Sequence, residues 1–183
     1  MDVLIKTFFL LDIDISGEYK YIRVNNVFEV ENSIDLKSRL KRNVGKIEIF
    51  CDGQGLQVNL ENLEYLFRGL LKYARDILEN KSFSITLMLS ELETLYGFPV
   101  NDELFVLEKT LDEEDYPPPF DAKGRYRRDI EHLMQRIFLY KRDFLLQICK
   151  EATNFIEKMK VLKEPDFGDW WIEDIEKVRG LIT

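Results

Sequence analysis

Residues 125–162, RYRRDIEHLMQRIFLYKRDFLLQICKEATNFIEKMKVL, form a run of 38 positions with neither glycine nor proline. Apolar residues fall at Ile130, Leu133, Met134, Ile137, Tyr140, Phe144, Leu145, Ile148, Ala152, Phe155, Ile156 and Met159. Steps of three and four place them on one stripe of a helix, so the spacing predicts one long amphipathic helix over about 125–162. Such a stripe must be buried against something. A straight helix of this length would span roughly 57 Å, whereas a domain of this size is roughly 40 Å across. The helix is therefore expected to bend, at Tyr140–Asp143 where the stripe thins, or to project beyond the sheet.

The preceding chain offers strands to receive it. Val3–Ile15 reads as a first strand, its early part apolar on both faces (Ile5 and Phe9; Leu4, Phe8 and Leu10). Ser16-Gly17-Glu18 turns it into a second strand over Tyr19–Val30. Ile34–Arg42 fits a short helix or an extended strand equally. Lys46–Asp52 alternates, Asp52-Gly53-Gln54-Gly55 is a tight turn, and Leu56–Val58 returns. Asn59 stands where an N-cap is expected, ahead of a helix near 60–79 with Leu63, Phe67, Leu70, Leu71, Ala74, Ile77 and Leu78 inward. Phe83–Leu89 alternates as a strand. Ser90-Glu91-Leu92-Glu93 matches a capping box and predicts a short helix stopping at Gly97. Asp102–Leu111 reads as another strand, and Asp169–Leu181 as a last short helix. Strands before a dominant helix give an α+β fold: one largely antiparallel sheet against a long C-terminal helix and shorter helices, in a single domain over 1–183.

Composition narrows the function. The chain is 45% hydrophobic and 13% aromatic, a globular composition, and its net charge of −8 argues against direct contact with nucleic acid. The acidity is segmental. Residues 79–121 carry 11 acidic and 2 basic side chains, a net of −9, while 122–160 carry 5 acidic and 10 basic, a net of +5. Residues 161–183 carry 6 acidic and 3 basic, a net of −3. The acidic, proline-rich loop 112–121 precedes Arg125, Arg127 and Arg128, cations set unfavourably at a helix N-terminus. The loop either pairs with them or engages a basic partner.

Reactive groups are sparse. His132 is the only histidine, beside the helix stripe, and no Ser-His-Asp, Cys-His or HExxH arrangement forms around it. Cys51 and Cys149 stand singly in apolar settings and read as buried reduced thiols. Asp12 and Asp14 share a strand face and would hold Mg²⁺ if a third carboxylate such as Asp52 met them, which is the metal-enzyme alternative. Otherwise no metal or cofactor is expected. The opening VLIKTFFLLDIDI lacks the features of a signal peptide, and no apolar run is long enough to cross a bilayer; a cytoplasmic location is expected.

The most distinctive motif is Asp169-Trp170-Trp171-Ile172-Glu173-Asp174. Neighbouring residues of a helix point ~100° apart, so one tryptophan anchors the helix while the other is left near the surface, or both pin the C-terminus. The small acidic α+β domain without a catalytic constellation, its aromatic-rich strands and the acidic DWWIEDIEKV helix resemble, in type, the immunity proteins of bacterial toxins such as those of contact-dependent growth inhibition. That resemblance implies an intracellular protein that binds a cognate toxin domain, often a basic nuclease, and blocks it. The charge and aromatic pattern itself nominates the partner-binding residues: Asp112, Glu113, Glu114, Asp115, Tyr116, Asp169, Trp170, Trp171, Glu173 and Asp174. An inhibitor of a host nuclease that mimics nucleic acid would use the same acids.

Overall fold

The computed structural model describes residues 3–13, 19–25, 43–87, 89, 93–110, 134–162 and 165–182. The described residues form two four-stranded antiparallel sheets, where a single sheet was expected, and four helices, an α+β fold. The first sheet contains β1 (Leu4–Ile13), β2 (Tyr19–Arg23), β3 (Val44–Cys51) and β4 (Gln54–Asn62), in the order β2-β1-β3-β4. Inward side chains of β1 alternate as expected: Ile5, Thr7 and Phe9 are buried. The expectation that early β1 is buried on both sides is corrected. Leu4 is 43% exposed, and Phe8 is half-buried with the Lys46 ammonium 4.8 Å from its ring centroid.

Asp52 and Gly53 close the β3–β4 hairpin, both at positive φ (50° and 78°), as a two-residue hairpin loop requires. At Gly45 the backbones of β1 and β3 approach so closely that a Cβ would lie 1.9 Å from the Phe8 carbonyl oxygen. Gly45→Ala must therefore spread the pair. It is expected to cost about 3 kcal/mol, the upper end for overpacking, read as a lower urea midpoint.

Helix α1 (Leu63–Lys72) begins at Asn62, whose side chain accepts from the Tyr65 amide at 3.0 Å; the cap is thus Asn62, three residues beyond Asn59. Asn59 lies within β4, whose ladder runs through Asn62. The chain breaks at Tyr73 and continues as α2 (Ala74–Leu78). Leu63, Phe67, Leu70, Leu71, Ala74 and Ile77 of the expected inner face are buried; Leu66 joins them and Leu78 is half-buried.

The second sheet is a meander of β5 (Phe83–Thr86), β6 (Thr94–Pro99), β7 (Leu104–Thr110) and β8 (Met134–Tyr140), each paired with the next. Two expectations fail here. Residues 94–99 are a strand, not the end of a short helix: β6 lies between β5 and β7 and supplies ladder bonds to both. Residues 134–140 are likewise a strand, not part of the long helix. Ile137 and Leu139 are buried while Phe138 between them is exposed, so Ile137-Phe138-Leu139 fits a period of two although its flanks also fit 3.6. β7 decides between them. It is buried on both faces from Phe105 to Lys109, and β8 pairs with it from Leu104↔Tyr140 to Thr110↔Met134. The Arg136 Nε donates to Glu108 Oε1 at 2.5 Å across that pair. Residues 125–133, the rest of the expected helix, lie outside the described residues.

Helix α3 (Lys141–Leu162) starts where the bend was expected. The Lys141 ammonium, 2% exposed, is held by the side-chain oxygen of Asn80 and by the carbonyls of Asn101 and Asp102. Its backbone N–H donates to Glu103 O at 2.9 Å. These bonds tie the strand-to-helix junction to the β6–β7 turn, and burial pushes the Lys141 pKa down against the raising effect of Asp102. From Phe144 onward the expected stripe is buried, through Leu145, Ile148, Ala152, Phe155, Ile156 and Met159. Thr7 of β1 donates to the buried Glu151 carboxylate at 3.0 Å, the polar link between α3 and the first sheet. Helix α4 (Asp169–Ile182) packs on α3, and a single apolar core joins both sheets to all four helices.

Candidate functional site

On α4, Trp171, Ile175, Val178 and Ile182 face inward and are buried. Their spacing of four, three and four is an amphipathic stripe one side wide. Trp171 is 0% exposed, and its ring meets Phe155 edge-on at 6.1 Å. Trp170, 100° further round the helix, is 55% exposed. The guanidinium carbon of Arg68 in α1 lies 4.1 Å from its ring centroid. The pair therefore divides as the helical geometry demands: one indole anchors, the other is presented.

The turn ahead of α4 explains how the anchor is set. Gly168 has φ 78°, and a Cβ there would come within 2.6 Å of the Trp171 Nε1. Both the backbone conformation and the space beside the indole thus require glycine. No acceptor meets the buried Nε1 among the described residues.

The acids of α4 fall on two sides of the helix. Asp169, Glu173 and Glu176 follow the outward ridge, whereas Asp174 turns with Trp170 and Leu181 toward α1. Asp169 pairs with Lys160, Asp174 with Lys177 at 3.2 Å and Glu176 with Arg179 at 2.6 Å. These are exposed pairs, each worth about 0–1 kcal/mol, so an incoming partner can exchange them. Of the ten nominated residues, Asp169, Trp170, Glu173 and Asp174 are on the surface of one helix, and Trp171 is in the core. Asp112, Glu113, Glu114, Asp115 and Tyr116 lie outside the described residues, as do Arg125, Arg127, Arg128 and His132.

Beside Trp170 runs an open groove of about 670 Å³ between α1, the start of α2, β5 and α4. Arg68, Lys72 and Arg75 line it from one side and Lys177 from the other, with Asp174 the one acid among the lining residues. The sequence held a signal for this. Arg68, Lys72 and Arg75 recur at steps of four and three, a cationic stripe on one helical face. It is obscured in the charge count because residues 1–78 as a block nearly balance.

The metal alternative gains no geometry. Asp14 and the Asp12 side chain lie outside what is described, Asp52 is an exposed turn residue, and no cluster of three or more His, Cys, Asp or Glu suited to a metal occurs among the described residues. Cys51 and Cys149 are both buried. Burial raises the pKa of each, that of Cys149 to about 11. Because the folded pKa of Cys149 lies above the unfolded value of 9.0, its contribution to stability is present below pH 9 and is lost as pH rises toward 11. Alkylation by iodoacetamide at pH 8 is accordingly expected to be slow in the folded protein and to become fast in urea, measured by intact mass.

Among the described residues no helix is long and apolar enough to cross a membrane. No protein-family model, curated protein or solved structure matches the chain.

Proposed function

We propose that this is a non-catalytic binding protein that recognises another protein with the exposed side of α4. The observation that carries the reading is Trp170: a large aromatic side chain, 55% exposed, on a helix whose next residue is fully buried. A rigidly presented indole supplies binding area at little entropic cost, which is why tryptophan is frequent among binding hot spots. The ridge of Asp169, Glu173 and Glu176 beside it favours a basic partner and speeds its approach. The resemblance to immunity proteins gives the finer form of the proposal: the partner is a basic toxin or nuclease domain, met in the cytoplasm and held inactive.

Photo-cross-linking from position 170, with position 59 in β4 as the control, tests this in cells of the source organism. The expected product is a cross-link to a basic protein domain from position 170 alone. With the captured partner, Trp170→Ala should weaken binding by about 2 kcal/mol or more, and reversal of Glu173 and Glu176 should slow association and flatten its salt dependence. Equal cross-linking from both positions, or unchanged affinity in Trp170→Ala, overturns the reading.

A further inference from the structure

The groove beside Trp170 carries the opposite sign to the protein around it. The chain has a net charge of −8, yet four of the five charged residues lining this groove are Arg68, Lys72, Arg75 and Lys177. We infer that the groove is a second recognition surface, which takes an extended acidic segment of a partner protein laid along the edge of β5.

Three observations select that occupant. The first is charge. Fields are screened beyond roughly 8 Å at physiological salt, so a short acidic segment inside the groove meets the four cations while the acids elsewhere contribute little. The cations are exposed and can be redirected. Arg75 reaches Glu79 only at 4.0 Å, Lys177 pairs with Asp174 three residues earlier, and Arg68 lies over an indole. Each of these contacts is of the kind that a ligand carboxylate can match or exceed.

The second is the strand. β5 is an edge strand, with β6 on one side and no described strand on the other. Ser84, Ile85 and Thr86 all line the groove. Consecutive strand residues point to opposite faces, so three in a row border a cleft only if it runs alongside the strand's edge. That edge is where an extended peptide adds, with backbone hydrogen bonds giving affinity and side-chain pockets giving selectivity. The third is the apolar lining from Tyr65 and Leu181, 38% and 41% exposed, which suits the apolar side chains of such a segment. The combination favours a peptide over a nucleic acid, whose phosphates would continue out of the groove across an acidic surface.

The inference is carried by residues other than the acidic ridge of α4, and is tested separately from it. Fluorescence anisotropy of the full chain would use three labelled probes: a peptide alternating glutamate and valine, the same peptide with lysine for glutamate, and oligodeoxythymidylate. The acidic peptide should bind and the other two should not. Arg68→Glu with Arg75→Glu, both at exposed positions, should weaken it about tenfold or more while leaving the melting temperature unchanged. Hydrogen exchange at residues 84–86 should slow in the complex, which a general electrostatic attraction would not produce. Preference for the oligonucleotide, indifference to the double substitution, or binding without protection of β5 would each overturn it.

Discussion

Phe155→Ala is expected to be the most destabilising single truncation in the core, by about 3–5 kcal/mol. Phe155 sits on α3, is 0% exposed, and its ring lies 5.7 Å from Phe9 of β1 and 5.6 Å from Phe67 of α1. It also meets Phe167 in the turn before α4 at 6.0 Å and Trp171 of α4 at 6.1 Å, both edge-on. One side chain thus joins the first sheet to three helices. Its removal leaves a cavity that four aromatic neighbours, each fixed in a different element, cannot easily collapse into. The loss should appear as a lower urea midpoint with an unchanged slope, because the surface exposed on unfolding hardly changes. Against a typical total of about 5–15 kcal/mol, it would consume much of the stability.

The second large effect is a contrast between neighbours. Trp171→Ala should cost about 3–5 kcal/mol, a fall in melting temperature on the order of 10 °C for a chain of this length. Trp170→Ala should stay within about 0.5 kcal/mol, since an exposed cation–π contact to Arg68 is worth little in water. Trp171→Phe should be tolerated far better than Trp171→Ala, because the indole nitrogen meets no acceptor among the described residues and most of the ring volume is kept. Equal penalties at 170 and 171 would mean that α4 does not hold one indole in and one out.

Much of this arrangement is legible in the sequence where one local pattern acts alone. The Asp52-Gly53 turn, the pairing of β1 with β2 (which ends at Arg23, short of the expected Val30), the inner face of α1 and the stripe from Phe144 to Met159 follow from turn chemistry and periodicity. That Trp170 and Trp171 point ~100° apart follows from helical geometry; which of them is buried does not.

What periodicity misses is decided by partners distant in sequence. Met134, Ile137, Phe144 and Ile148 fit a continuous helical stripe, and nothing within 134–140 forbids it. The strand is imposed by β7, which would otherwise end its sheet with an unpaired edge and leave the buried Glu108 without Arg136. Likewise Ser90–Glu93 has the chemistry of a capping box, but the positions after it are claimed by β5 and β7. The basic groove was hidden for a different reason. Its four cations come from α1, α2 and α4, so counting charge along the chain dilutes them among acids that the fold places elsewhere.

The claim on which the functional reading depends is that α4 is anchored by one tryptophan in order to present the other. Iodide quenching of the two single-tryptophan variants tests it directly. In Trp171→Phe the remaining Trp170 should emit at long wavelength and be quenched readily, whereas in Trp170→Phe the remaining Trp171 should emit at short wavelength and resist quenching. Similar emission and similar quenching in both variants would contradict the account.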